Sequence, residues 1–179
     1  MNIILTGMRG TGKTTLGRLL AKKLESTFID LDDEIEKDAN EKIADIVKKY
    51  GWNYFRKLEK KITKRIAESD GCIIATGGGT LMDETNAKML KKNGMIIVLK
   101  CSCEIIRKRL KNDTSRPALQ SHKTIHSTNF LDELENVWNE RKNTYIKTAD
   151  LILKNETKHD EIKCLNTLSS LAKHNNLSA

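Results

Sequence analysis

The sequence predicts an α/β fold, a parallel sheet of five short strands joined by crossover helices. Short aliphatic or β-branched runs alternate with longer helical patterns along the chain, the arrangement that successive βαβ units require. The 179 residues suit one domain, expected to span 1–179, with a core that needs no disulfide. The expected strands are Asn2 to Thr6, Phe28 to Leu31, Cys72 to Ala75, Met95 to Leu99 and Leu151 to Leu153. Leu16, Leu19, Leu20 and Leu24 recur at helical spacing after the first strand, as do Ile62, Ile66 and Met89-Leu90 later, so these segments read as crossover helices with one apolar face. The stretch 111–128 is polar, holds the single proline, Pro117, and keeps no period; it reads as a mobile loop or lid. Ile162, Leu165, Leu168 and Leu171 lie about one turn apart and predict a closing helix over about 158–174.

Composition excludes several classes of function. No apolar run approaches the ~20 residues that span a bilayer, so no membrane segment is expected. The chain opens directly into the first strand with no basic and apolar leader, which predicts a cytoplasmic protein. Four cysteines (Cys72, Cys101, Cys103, Cys164) lack the paired spacing of a zinc site and are expected as thiols; Cys101-x-Cys103 reads as two small residues at a strand end. The formal charge of +8 attracts polyanions. The lysines are scattered along helical segments, however, and two Trp, three Tyr and three Phe offer little for base stacking, so no nucleic-acid partner is expected.

Gly7-Met8-Arg9-Gly10-Thr11-Gly12-Lys13-Thr14 satisfies G-x-x-x-x-G-K-[ST] in full, between a predicted strand and a predicted helix. Glycines let successive backbone N–H groups turn toward phosphate oxygens, and the helix that follows presents its positive end to the same anion. The candidate nucleotide-binding residues are Gly10, Thr11, Gly12, Lys13, Thr14 and Thr15. Lys13 is expected at the β- and γ-phosphates of ATP and the Thr14 hydroxyl on Mg²⁺.

A phosphate loop leaves the acceptor open. Asp30-Leu31-Asp32 closes the second strand at its carboxyl end, where α/β sheets bind ligands. Two carboxylates two apart on a strand end leave the chain on one side. Asp30 is the candidate for the Mg²⁺ side and Asp32 for the acceptor hydroxyl, as its hydrogen-bond partner or base. The alternative is a polar strand end that caps the next helix through Asp32 or Asp33. Gly77-Gly78-Gly79 follows the third strand and lets backbone approach a ligand closely. Arg56 and Glu59, three apart on a helix, share a face, so the carboxylate can orient the guanidinium. Arg116-Pro117 falls in the lid, and Arg141 late in a helix beginning near Phe130.

In order and spacing these motifs resemble the shikimate kinases from Asn2 to about Leu153. The resemblance rests on the phosphate loop; Phe28-x-Asp30-x-Asp32 with Ile35-Glu36; Phe55-Arg56 with Glu59; the glycine triplet; Arg116-Pro117; and Glu140-Arg141 with Tyr145 and Ala149-Asp150. It implies transfer of the ATP γ-phosphate to the 3-hydroxyl of shikimate, on the route to chorismate and the aromatic amino acids; a monomer is expected. It further implies that Asp32 contacts the acceptor hydroxyls, that Arg56 and Arg141 grip the shikimate carboxylate, and that Gly77, Gly78 and Gly79 line the same pocket. Arg116 would swing in with the lid as a catalytic group beside Lys13 and Asp32, and Arg109 falls where the family places an arginine beside the adenine. Trp52 and Ala118 stand where the family usually has Glu and Leu, and Lys154 and Lys158 where an adenine-side arginine is common. Rival readings are a P-loop kinase of another small polyol acid or of a nucleotide, and a non-catalytic nucleotide-binding relative.

Overall fold

The computed structural model describes residues 1–111 and 130–174. The lid expected over 111–128, and Arg116 within it, therefore lie outside the described residues, save Lys111. The five strands are β1 (Asn2–Thr6), β2 (Phe28–Asp30), β3 (Ile73–Ala75), β4 (Gly94–Lys100) and β5 (Leu151–Lys154), and every pairing is parallel in the order β2-β3-β1-β4-β5. The helices are α1 (Lys13–Leu24), α2 (Leu31–Ala39), α3 (Ile43–Ala67), α4 (Glu84–Lys92), α5 (Cys103–Leu110), α6 (Phe130–Thr148) and α7 (Lys158–His174), with a short 3₁₀ turn at Thr80–Met82.

The strands are nearly unbroken apolar runs because both faces of the sheet are covered. Alternation sorts their side chains: Ile4, Ile74 and Ile96 face α2, α3 and α4, while Ile3, Leu5, Ile73, Ile97 and Leu99 face α1 and α7. A third cluster joins Val98 to Met8 of the phosphate loop, Ile106 of α5, and Leu134, Val137 and Tyr145 of α6. Leu16, Leu20 and Leu24 bury as the helical period predicts, whereas Leu19 and Ile162 face solvent. Four positions at a spacing of three or four span more than the buried stripe, so the outer ones are left at its edge.

The topology fixes where a ligand can sit. Strand β1 is central, and the chain leaves it toward β3 and β2 on one side and β4 and β5 on the other, so the loop after β1 opens at the point where strand order reverses. The helix α3 is interrupted at Gly51, whose φ of 79° and ψ of 170° are non-helical. An L-residue is disfavoured at that φ. The break re-aims the segment carrying Trp52, Phe55, Arg56 and Glu59. Among the described residues no helix is long and apolar enough to cross a membrane.

Candidate active site

The loop Gly7–Gly12 runs from β1 into α1 with Gly7, Gly10 and Gly12 at positive φ (133°, 81° and 94°). Gly12 is the N-cap of α1 and carries no side-chain cap, so the first amides of the helix are left for an anion. Thr11 turns inward: it is buried, and its hydroxyl donates to the Met8 carbonyl at 2.8 Å, so only its backbone can serve a nucleotide. Lys13 Nζ donates to the carbonyls of Gly7 and Met8 at 3.0 and 2.9 Å, which folds the lysine over the loop.

Thr14 and Asp30 meet. The Thr14 hydroxyl donates to Asp30 Oδ2 at 2.8 Å, while Asp30 Oδ1 accepts from the Asp32 backbone N–H at 3.1 Å. The second bond corrects the sequence reading of this segment. Asp30 is the N-cap of α2, in place of Asp32 or Asp33, and Asp32 sits in the first helical turn rather than on the strand. The strand ends one residue earlier than expected, and the helix starts two or three residues earlier than a cap at Asp32 or Asp33 would give, because an extended Asp is a strong cap and three acidic residues follow it at the positive end. Both carboxylates still line one cleft of about 440 Å³ with Gly10, Gly12, Lys13, Thr14, Thr15, Arg109 and Asn155.

Beside Asp32 a second group of residues converges. A Cβ built on Gly77 would stand 3.0 Å from Asp32 Oδ1, one on Gly78 3.7 Å from Arg141 Nη1, and one on Gly79 2.6 Å from Arg56 Nη2, so the triplet lies against all three candidate acceptor-binding side chains. Arg56 pairs with Glu59, as their spacing predicts, and its guanidinium lies 5.4 Å from the Trp52 ring centroid and 5.1 Å from that of Phe55. Glu59 is 1% exposed and accepts from the Thr80 hydroxyl at 2.8 Å. Burial pushes its carboxyl above the usual range, against the pull of Arg56 and Thr80, and the negative charge of Asp32 adds to the push. Arg141 of α6 is 9% exposed and donates to the Gly78 carbonyl at 3.0 Å. The Tyr145 hydroxyl donates to the same oxygen. Burial pushes the Tyr145 phenol up to about 12, so it remains a donor at neutral pH.

The remaining candidates lie at the far end of the cleft. Arg109 donates to the Gly10 and Glu156 carbonyls, both at 3.0 Å, and so bridges the phosphate loop and the segment after β5. Lys154 pairs with Glu156 and Lys158 with Glu161 on that side.

A family model described as shikimate kinase matches residues 9–172. The chain belongs to the shikimate kinase family. It is 38% identical over 157 residues to the shikimate kinase of Persephonella marina, spanning 88% of this chain and 90% of that protein. It is 45% identical over 119 residues to that of Thermodesulfovibrio yellowstonii, spanning 66% and 69% respectively. Among solved structures, the shikimate kinase of Acinetobacter baumannii in complex with shikimate superposes with a TM-score of 0.86 at 29% identity, covering 99% of this chain and 95% of that one. The enzyme from Aquifex aeolicus gives 0.77 at 32% identity, covering 97% and 98%. The family makes this chain an ATP-dependent kinase, and the α/β fold expected from the sequence, a five-stranded parallel sheet with crossover helices, is the one these enzymes share.

Within that family frame, Asn155 and Thr76 are cleft residues that sequence reasoning missed. Thr76 donates to the Thr6 hydroxyl at 3.0 Å beneath the phosphate loop. Its place at the end of β3, directly before the glycine triplet, is the one signal that could have marked it. Asn155 had none, since its partner is 144 positions away.

Proposed function

We propose that the cleft transfers the γ-phosphoryl group of ATP to the 3-hydroxyl of shikimate, giving shikimate 3-phosphate and ADP, in a cytoplasmic monomer acting as one unit over 1–179. The observation that carries this reading is the position of Asp32. It borders Lys13 and Thr14 on one side and Gly77 on the other, so it stands where a phosphate cradle meets a pocket walled by Arg56 and Arg141.

In this reading the backbone from Gly10 to Gly12 and the first turn of α1, through Thr14 and Thr15, hold the phosphates. Lys13 exchanges its two loop carbonyls for β- and γ-phosphate oxygens as ATP enters. Arg56 and Arg141 fix the carboxylate of shikimate by charge-assisted hydrogen bonds, with the glycine triplet admitting the ring close to the backbone. Glu59 and the rings of Trp52 and Phe55 hold the Arg56 guanidinium in its forked orientation before the acceptor arrives. Asp32 then accepts the hydrogen bond of the 3-hydroxyl and points its oxygen at the γ-phosphorus. Phosphoryl transfer passes through a loose transition state, so orienting this oxygen supplies more than early proton removal. Arg109 borders the adenine end, and Arg116 is assigned to the transferring phosphoryl group.

Thr14 and Asp30 offer hard oxygen donors 2.8 Å apart at the phosphate end, so these two residues would hold Mg²⁺. Bound there with ATP, Mg²⁺ would neutralise charge on the β- and γ-phosphates.

ADP release measured across shikimate, quinate, gluconate and nucleoside monophosphates tests the assignment. Shikimate alone is expected to support rapid turnover, and only with Mg²⁺ present. Comparable turnover with a nucleoside monophosphate would overturn it, because two arginines around a carboxylate pocket do not recognise a base.

A further inference from the structure

Asn155 follows β5 directly and is held at both its main chain and its side chain. Its backbone N–H donates to the Lys100 carbonyl at 2.9 Å, which ties it to the end of β4. Its side-chain Nδ2 donates to the Thr11 carbonyl at 2.8 Å. The residue is 3% exposed, and Oδ1 is buried with no hydrogen-bond partner. An unpaired buried carboxamide oxygen disfavours the folded state and offsets much of what the Nδ2 bond to Thr11 contributes. Packing alone therefore does not explain an asparagine here.

The geometry of the peptide unit does. In a trans peptide the carbonyl and the following N–H point in opposite directions. Fixing the Thr11 oxygen on Asn155 therefore turns the Gly12 N–H away from Asn155 and toward the interior of the phosphate loop. Gly12 is shaped by the same contact: its φ is 94°, and a Cβ there would lie 2.6 Å from Asn155 Nδ2. The neighbouring carbonyl is braced from the same segment, since Arg109 connects Gly10 O to Glu156 O.

We propose that Asn155 is a positioning residue for the nucleotide, holding the Thr11–Gly12 peptide so that the Gly12 N–H meets a phosphate oxygen of ATP without reorganising. The inference rests on the reading of this cleft as the ATP site. It predicts that Asn155 governs nucleotide affinity and leaves the acceptor pocket, on the other side of Asp32, unaffected.

Two substitutions in the full chain test it, read by calorimetry with ADP and with shikimate and by thermal melting. Asn155→Leu removes the unpaired Oδ1 but also takes the donor from the buried Thr11 carbonyl, so the two effects offset and its melting temperature is expected to stay within a few degrees of the unsubstituted chain; it is expected to bind ADP ~5–30-fold more weakly, as loss of one aimed phosphate contact implies, and to bind shikimate equally well. Asn155→Asp places a carboxylate against the Thr11 carbonyl. Its protonated form can donate as the amide does, so ADP affinity should recover as pH falls from 8 to 5.5, relative to the unsubstituted chain. The surrounding groups do not mimic this trend. Glu156 and Asp160 are held below the usual carboxylate range, chiefly by Lys154 and by the Thr157 N–H respectively, and burial keeps the Cys101 thiol neutral. Arg109 and Glu161 are common to both proteins, so their contribution cancels in the comparison. Unchanged ADP affinity in Asn155→Leu, equal losses for ADP and shikimate, or an Asn155→Asp profile parallel to the native one would each overturn the proposal. Should Asn155→Leu fail to fold, the Asn155→Asp profile decides. A native chain that binds ADP yet does not phosphorylate shikimate would defeat the functional reading and not this one.

Discussion

The two oxygens of Asp30 are committed to different partners, Oδ2 to the Thr14 hydroxyl and Oδ1 to the N–H that opens α2. One side chain thus shapes the chain and borders the phosphate loop, and the proposed reading leaves Asp32 to the acceptor. The sequence pattern brought both aspartates to one place for a reason that does not hold, since strand alternation ends at Asp30. A tight cap, with Asp32 in the first helical turn, produces the same convergence. The division of labour predicts two distinct phenotypes. Asp30→Asn keeps an N-cap of equal quality, so the fold should persist while the Mg²⁺ concentration for half-maximal rate rises. Asp32→Asn should lower kcat ~10²–10⁴-fold with ATP still bound. Steady-state rates at varied Mg²⁺ for both variants check this, and exchanged phenotypes would refute the roles. The arginines differ in a way that only burial reveals. Arg56→Ala and Arg141→Ala should each weaken shikimate binding ~10–150-fold, about 1.5–3 kcal/mol, with little change for ATP. Calorimetry reads both losses, and equal losses for ATP would count against the assignment. Arg56→Ala should also lower the melting temperature, since Glu59 would remain buried without its partner.

At the scale of elements, the site is assembled from the start of α1, the junction of β2 and α2, the turn after β3, and one face each of α3 and α6. The glycine triplet illustrates why these segments need their residues. Gly79 has an ordinary backbone, with φ of −113°, so its glycine is required by space rather than by conformation. A methyl group there would displace the Arg56 guanidinium. Gly79→Ala should therefore fold and melt as the native chain does, yet raise the KM for shikimate ~10-fold, about 1.4 kcal/mol, with the KM for ATP unchanged. A melting-temperature loss without a KM effect would assign the triplet to packing. Strands and amphipathic helices were legible in the sequence because their signals are local. The run Ile3-Ile4-Leu5 is apolar on both faces, and Leu16, Leu20 and Leu24 return every turn. The break at Gly51 was not legible, because one glycine inside a helical pattern does not announce a non-helical ψ. The brace at Asn155 was hidden for a different reason: it is a contact between segments 144 positions apart, and no period encodes it.

For the molecule as a whole, strand order does the positioning. Because β1 is flanked by β3 and β4, the phosphate loop receives Asp30 and the glycine triplet from one side of the sheet and Arg109 and Asn155 from the other. In the proposed reading, nucleotide and acceptor regions share this floor, with Asp32 at their boundary. The net charge of +8 is spread over a surface that also carries paired lysines, such as Lys61 with Asp38 and Lys91 with Asp150, and it favours approach of two anionic substrates. The central claim is that this boundary delivers the γ-phosphoryl group to one particular oxygen. Phosphorus and proton NMR of the product formed from ATP and shikimate tests it directly. The account predicts a single phosphate ester whose phosphorus couples to the proton on carbon 3, in equal amount to the ADP released. Phosphate on another hydroxyl, or ADP accompanied only by inorganic phosphate, would contradict it.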